Sequence, residues 1–319
     1  WQWWLSLDDK WRILFLSKGL AVELDQSNWF NKILMREYIE QIFKLQRLNL
    51  SNTLLIDISA LENLTNLIQL DLSDNQINDI SALAKLTKLN GLYLFNNQIN
   101  EIKALSNLNN LITLGLNGNK VSDISSLAKL TKLERLYLGY NPITDISILK
   151  NLNRLISLDL DHEQWSNHTF SDISVLASLT NLTGLSFGGN TNDISILKNL
   201  TNLTYLHLDS YANDISVLFN LTNLTELSLD YCFIKNISML SNLTKLTKLH
   251  LWWNEITQIS ELSNLTNLVE ISLGYNSISS IFPLANLTNL IYLNLTENPI
   301  PQSDIDWLQQ QLPNCTIEL

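Results

Sequence analysis

One group of side chains in the second half of the sequence could bind a metal ion. Asp161, His162, Glu163 and His168 lie close together in the chain, and imidazole and carboxylate groups are ligands that suit zinc. Their spacing, H-E-x₄-H, differs from the helical H-E-x-x-H of metalloproteases. We therefore interpret this segment, with Trp165 at its tip, as a contact loop and not as a metal centre.

A second group could form a hydrolytic arrangement. His207, Asp209, Ser228 and His250 follow one another at repeated intervals, and His207 would approach Ser228 if their strands were neighbours about 4.8 Å apart. Acyl transfer also needs a pocket and an oxyanion hole, and an open strand surface supplies neither. We expect no enzymatic activity, no catalytic residues and no cofactor.

A repeat sets the elements that position these residues. The pattern LxxLxLxxNxIxDISxLxxLxx recurs about every 22 residues and gives about twelve units. The spacing widens to 27 residues between Leu158 and Leu185 and then narrows to 21 for two units. The Leu-x-Leu triplets, or their equivalents, begin at Leu48, Leu70, Leu92, Leu114, Leu136, Leu158, Leu185, Leu206, Leu227, Leu249, Ile271 and Leu293.

Each position of the repeat has a physical role. Leu-x-Leu predicts a short strand with both leucines in the core. The Asn that follows can satisfy the backbone of the turn leaving the strand, so that stacked repeats form an Asn ladder. Its members are Asn75, Asn97, Asn119, Asn141, Asn190, Asn254, Asn276 and Asn298. The Asp of Asp-Ile-Ser is predicted to cap a short turn on the opposite side. That column holds Asp57, Asp79, Asp123, Asp145, Asp172, Asp193 and Asp214.

Because one unit cannot bury its own Leu and Ile, the units must stack around a continuous core. Over about residues 45–300 the sequence resembles the leucine-rich repeat superfamily, specifically the 22-residue bacterial class that includes the internalins. The resemblance implies an α/β fold, a right-handed leucine-rich-repeat solenoid or horseshoe. Short parallel strands would form its concave face, and 3₁₀ or short helical turns its convex face.

The ends of a solenoid need polar or helical caps. We predict a helical N-terminal cap at 1–47, repeats at 48–300 with a long repeat at 158–184, and a C-terminal cap at 301–319. Ser6 is predicted to start a helix that stops at Gly19, and a second helix is expected at about 27–45. Ser303 is predicted to open a capping box, followed by a helix to about Leu312 and a final strand at 315–319.

Variable positions beside each Leu-x-Leu should point into the concave face, because side chains alternate across a strand. Two clusters of aromatic and acidic residues arise there, and such a composition is typical of recognition surfaces. The alternative is that these rings only shelter one another across strands. The candidate partner-binding residues are Tyr93, Phe95, Tyr137, Tyr140, Asp159, Asp161, Trp165, Tyr205, His207, Asp209, Asp230, Tyr231, His250, Trp252, Trp253 and Tyr275.

The charge and composition of the chain limit the classes of partner that it can bind. The net charge of −11 argues against nucleic acid and anionic membranes. The two Cys residues cannot form a disulfide framework. No apolar run reaches the ~18 residues of a membrane span. Because the chain begins with WQWW and not with Met, we expect a trimmed N-terminus, with any targeting signal out of view.

The combined interpretation is a non-enzymatic scaffold that binds a protein partner of basic or mixed charge on its concave face. A carbohydrate or small-ligand module is the alternative, since Tyr, Trp and Asp also suit sugars. A regulatory fragment of a larger signalling protein is another. We expect a monomer from a bacterium, located in the cytoplasm, on the cell surface or outside the cell.

Overall fold

The computed structural model describes residues 2–20, 32–162, 169–188, 193–209 and 213–319. The chain divides into two compact units, which we call unit 1 (1–155) and unit 2 (156–319). Within each unit, short parallel strands alternate with 3₁₀ turns. This is the architecture of the leucine-rich-repeat solenoid that the sequence predicts.

Unit 1 opens with helical segments. They are α1 (Gln2–Ser6), α2 (Asp9–Leu14), a π-helical turn (Phe15–Gly19) and α3 (Lys32–Phe43). The prediction that Ser6 caps the first helix is wrong: the Asp8 side chain accepts the hydrogen bond from the Trp11 amide and starts α2. The Ser6 hydroxyl instead donates to the Trp3 carbonyl, because Ser6 ends α1. The turn at Gly19 packs near Leu48, so these segments cover the first strand.

The strands of unit 1 are paired in parallel in sequence order, with each Leu opposite its counterpart one repeat away. They are β1 (Arg47–Asn49), β2 (Gln69–Asp71), β3 (Gly91–Tyr93), β4 (Thr113–Gly115) and β5 (Arg135–Tyr137). The inward leucines are buried, while most residues between and beside them stay partly exposed. The period-2 pattern therefore separates core from surface as expected.

Unit 2 continues the same arrangement. Its strands are β6 (Ser157–Leu160), β7 (Gly184–Gly188), β8 (Tyr205–Asp209), β9 (Glu226–Ser228), β10 (Lys248–His250), β11 (Glu270–Ser272), β12 (Tyr292–Asn294) and β13 (Thr316–Glu318). They pair in parallel, again in sequence order. The longest are β7 and β8, with five residues each, and both flank the short repeats.

The C-terminal segment differs from its predicted start. Helix α4 (Gln302–Gln311) begins after Pro301, so Ser303 lies inside the helix and the predicted capping box is wrong. The Ser303 hydroxyl contacts the carboxylate of its neighbour Asp304. Helix α4 is followed by β13, as the helix–strand prediction required. The boundaries proposed at 47/48 and 300/301 stay predictions.

The Asn ladder is confirmed at its described members. The amide nitrogen of Asn119 donates to the carbonyl of Leu94 in the preceding repeat at 2.8 Å and to Leu116 in its own at 2.9 Å. Its oxygen accepts from the Ile99 amide. One side chain thus ties two turns together, which explains how the chain turns with only nine Gly. Asn190 lies outside the described residues.

Two further columns of side chains, one of Asp and one of Asn, stabilise the turns of the repeats. The carboxylate of Asp79 accepts from the amide of Ser81, the first residue of a 3₁₀ turn, at 2.8 Å. This bond lowers the pKa of Asp79, because it favours the charged carboxylate. A further column that we did not predict joins neighbouring repeats through Asn side chains. Asn110, for example, donates to the Thr87 carbonyl and accepts from Lys132.

Candidate binding surface

The strand surface consists of side chains before, between and just after the two inward residues of each strand. The predicted site residues of the described chain all lie on it or at its rim, and Trp165 lies outside the described residues. Tyr140, Tyr205, Trp253 and Tyr275 are exposed, with 47, 41, 44 and 38% of their surface accessible. The remaining members are half-buried. The surface therefore presents the residue types that the sequence indicated.

In unit 1 the aromatic cluster is small. Phe95 lies between Tyr93 and Tyr137, with ring centroids 6.0 and 6.1 Å away and all pairs tilted. Gly115 on β4 leaves the space that Phe95 occupies, since a Cβ there would lie 2.3 Å from the ring. A glycine beside an aromatic residue on the next strand is a signal that the sequence contained and that we did not use.

In unit 2 four rings form a continuous aromatic row. Trp253 stacks on Tyr231 at 5.6 Å and on Tyr275 at 5.1 Å, with interplanar angles of 25° and 22°. The edges of Tyr231 and Tyr275 meet Trp252 at 5.1 and 5.0 Å, in T-shaped pairs. Gly274 makes room for Trp252, because a Cβ at that position would lie 2.7 Å from the indole. We call Tyr231, Trp252, Trp253 and Tyr275 the aromatic row.

Three residues of the row have a backbone that side chains of their kind rarely adopt. Tyr231, Trp253 and Tyr275 have φ of 59°, 53° and 55°, in the left-handed region. Bulky residues are uncommon there, and the conformation costs about 1–3 kcal/mol. Because Asn or Gly would satisfy the same turn at lower cost, the turn by itself does not call for aromatic residues. Ring stacking offsets part of the cost.

An acidic cluster adjoins the row. Its members are Asp161, Asp209 and Asp230, accompanied by His207, whose Nε2 lies 3.6 Å from the Asp161 carboxylate. The Asp230 carboxylate accepts a hydrogen bond of 2.6 Å from the backbone amide of Trp252. This bond connects the cluster directly to the aromatic row.

The carboxylates of the cluster disfavour one another's charge. Burial, together with the Asp161 carboxylate and against the opposing effect of His207, raises the pKa of Asp209 to about 6. Burial is likewise the main reason that the pKa of Asp230 is raised, although the bond from Trp252 acts in the opposite direction. Burial and the Asp159 and Asp161 carboxylates also raise the pKa of Tyr205. The surface therefore holds carboxylates that are partly withdrawn from water and lie close to one another.

Two contacts beside the cluster were not predicted from the sequence. Lys248 forms an ion pair with Glu226 at 3.6 Å, and the His250 ring lies 3.5 Å from the Glu270 carboxylate. Both contacts join neighbouring strands. Register could have predicted the first, since Lys248 is opposite Glu226, whereas His250 is opposite Ser272 and reaches Glu270 diagonally.

The hydrolytic arrangement does not form. His207 is opposite Ser228 in the strand register, but the Ser228 hydroxyl donates to Asp230 at 3.4 Å, and His207 faces Asp161. The Ser228 hydroxyl is therefore paired with a carboxylate and not with the imidazole that a Ser–His arrangement requires.

The segment with the candidate metal ligands is described only in part. His162 is buried, and its ring lies 5.2 Å from Phe170. Glu163 and His168 lie outside the described residues. Among the described residues, no three His, Cys, Asp or Glu side chains group as metal ligands do.

The two cysteines take structural positions. Cys232 replaces Asn in the ladder and points its thiol at the carbonyls of Leu208 and Asp230. Cys315 is buried in the C-terminal cap, and burial raises its pKa to about 11. No disulfide joins Cys232 and Cys315.

A family model described as leucine-rich repeats in two copies matches residues 44–85, 87–129, 131–178, 222–267 and 266–310. The chain belongs to the leucine-rich repeat family. Among solved structures, this leucine-rich repeat protein is similar to an internalin, InlF, from Listeria monocytogenes. The two share 35% identity and a TM-score of 0.76, over 88% of this chain and 82% of that one. This likeness supports the internalin-like class.

More distant structures share the fold. The functional domain of InlJ from Listeria monocytogenes has 21% identity and a TM-score of 0.65, over 88% of this chain and 64% of that one. A plant receptor kinase ectodomain from Arabidopsis thaliana, in complex with CASPARIAN STRIP INTEGRITY FACTOR 2, has 22% identity and a TM-score of 0.58. That match covers 88% of this chain and 39% of the receptor. A comparison with curated proteins gave no match.

Leucine-rich repeat proteins generally mediate protein–protein interaction, and internalin-like members are non-enzymatic binding scaffolds. Within the part of the chain that the structure describes, no helix has the length and apolar character needed to cross a bilayer.

Proposed function

We propose that this protein binds a protein partner through the strand surface of unit 2. The observation that carries the proposal is the aromatic row, in which Tyr231, Trp253 and Tyr275 occupy left-handed backbone positions and the last two remain exposed. Strain of this kind persists where function requires it. Exposed Trp and Tyr side chains are also the residues that most often dominate the energy of protein interfaces.

The partner that fits this surface carries basic side chains. Asp161, Asp209 and Asp230 place negative charge beside the row, and the whole chain has a net charge of −11. An arginine or lysine of the partner would meet carboxylates and aromatic rings together, which strengthens binding through both charge and cation–π contact.

The row is better suited to a protein than to a sugar. A sugar-binding platform offers an open ring face, but both faces of Trp253 are partly covered by Tyr231 and Tyr275. Trp and Tyr also carry N–H and O–H groups, which suit the carbonyls and side chains of a polypeptide. The residue types of the surface suit a sugar as well, but the covered ring faces favour a protein.

The test is selection of peptides and small domains from a display library on the immobilised chain. We expect the selected binders to lose about 100-fold or more in affinity for the Tyr231→Ala/Trp253→Ala variant, because two interface aromatics are removed. The matched control is Phe219→Ala/Phe282→Ala, which removes two exposed rings from the 3₁₀ turns.

Binders that hold the double variant as tightly as the natural chain would contradict the proposal. Loss on Tyr93→Ala/Tyr137→Ala instead would move the binding surface to unit 1. A parallel glycan array with hits that disappear in Trp252→Ala would favour carbohydrate.

A further inference from the structure

The strand surface of unit 2 combines groups that change charge in the same direction when the solution is acidified. Asp209, Asp161 and His207 interact on one side, and Asp230 and His250 interact on the other. A carboxylate that gains a proton loses its negative charge, and an imidazole that gains one becomes positive. Both changes remove attraction for a basic partner.

Side chains from neighbouring repeats set this balance. Asp161, just after β6, and Asp230, just after β9, raise the pKa of Asp209, whereas His207 on its own strand β8 lowers it. Strand β7, which pairs directly with β8, places Gly188 opposite Asp209 and has no charged side chain. Within the described residues, Lys248 is the nearby cation, and it is engaged with Glu226 at 3.6 Å. Further along the sheet, His250 faces Glu270.

We propose that acidification from about pH 7.5 to about pH 5.5, the range in which histidine ordinarily gains a proton, releases a basic partner from this surface. The proposal rests on the proposed function, since it concerns the regulation of the same site. Its geometric basis is the juxtaposition of half-buried carboxylates with two imidazoles directly beside the aromatic row.

The size of the charge change supports the idea. Each proton that a carboxylate or an imidazole of this surface gains makes the charge next to the bound partner one unit more positive. The pKa of Asp209, raised to about 6 by burial and by its acidic neighbours, brings this carboxyl into the relevant range. A carboxyl in water stays charged there, since its pKa is about 4. Partly buried charges are also screened less by salt than exposed ones.

The test uses a fluorescent hexa-arginine peptide as the probe, with the dissociation constant measured by anisotropy at pH 7.5 and 5.5 at constant ionic strength. We expect the dissociation constant to rise about tenfold or more at the lower pH. In the Asp209→Asn variant, the value at pH 7.5 should move toward the acid value, while the value at pH 5.5 stays nearly unchanged. The matched control is Glu101→Gln/Glu134→Gln, which removes negative charge in unit 1 and should keep the full pH response.

The outcomes separate the two proposals. If the natural chain binds the peptide equally well at both pH values and the Asp209→Asn/Asp230→Asn variant does not bind it, the pH response is overturned but the basic-partner surface is supported. Absence of binding at pH 7.5, or binding that the Asp209→Asn/Asp230→Asn variant does not weaken, would overturn both.

Discussion

Two residues after the second inward residue of a strand, the backbone enters the left-handed region. This left-handed position holds different residues in the two units. In unit 1 it holds Asn52, Asp74, Asn96 and Gly118, and ends with Tyr140; in unit 2 it holds Tyr231, Trp253, Tyr275 and Glu297. Asn, Asp and Gly are the residues that tolerate this backbone best. Unit 1 therefore mostly uses residues that suit the turn, whereas unit 2 places three aromatic residues on a strained backbone. The same repeat thus tolerates either kind of residue at this position.

The largest expected effect tests what the two units have in common. Asn119→Ala in unit 1 and Asn276→Ala in unit 2 each remove bonds to two carbonyl groups of buried leucines and to one buried amide. A buried polar group that is left without a hydrogen-bond partner costs about 1–3 kcal/mol. We therefore expect each variant to lose about 3 kcal/mol or more in the free energy of unfolding.

Urea denaturation followed by circular dichroism measures that loss. Asn276→Cys serves as the control, because Cys232 occupies the same column naturally and still donates to carbonyls; its loss should be smaller. If one unit tolerates the alanine and the other does not, the two ladders are not equivalent.

A second prediction concerns variants in which each unit receives, at its left-handed position, a residue type typical of the other unit. Asn96→Tyr puts a ring on a backbone with φ of 51° and removes the Asn96 bond to Asp74. We expect a loss of about 1–2 kcal/mol. Trp253→Asn relieves strain but loses two stacked neighbours, so its stability should change by less than about 1 kcal/mol.

Thermal and urea unfolding of both variants provide the measurement, and binding of the library-selected peptides provides the contrast, since only Trp253→Asn should weaken it. A neutral Asn96→Tyr would show that this position carries no strain. The comparison between the units would then lose its energetic basis.

A third prediction concerns a carboxylate that costs stability. Because the folded chain raises the pKa of Asp209 to about 6, it binds this proton more tightly than the unfolded chain does. The charged carboxylate therefore destabilises the fold at neutral pH, and this cost disappears as the pH falls through about 6 toward 4. Asp209→Asn should raise the free energy of unfolding at pH 7 by about 1–2 kcal/mol and leave it nearly unchanged at pH 4.

Denaturation at pH 7 and pH 4 measures whether Asp209→Asn raises or lowers the free energy of unfolding. Asp71→Asn is the counterpart in unit 1: its carboxylate accepts from the Ser73 amide and from Asn49, so the change should lower stability slightly. If Asp71→Asn raised the free energy of unfolding, or if Asp209→Asn lowered it at pH 7, the carboxylate of unit 1 would be the destabilising one and that of unit 2 the stabilising one.

The repeat spacing alone determined the strands, the Asn ladder and the capping Asp column, because each depends on residues at fixed separations within one unit or between adjacent units. It also assigned Tyr205, His207 and Trp252 to one strand surface, since alternation along a strand is a local property. The helix starts at Ser6 and Ser303 were wrong because Asp8 and Pro301 begin those helices instead. Several residues matched the N-cap pattern, and sequence alone did not rank them.

Tertiary structure decided the rest. The stacking of Tyr231, Trp253 and Tyr275, the space that Gly274 leaves for Trp252 and the raised pKa of Asp209 arise only when repeats lie side by side. The burial of His162 against Phe170 also follows from packing, not from spacing. The physical reason is that ring contacts, desolvation and charge repulsion depend on distances between different turns of the chain, whereas the periodic pattern fixes only which side of its own strand each residue occupies.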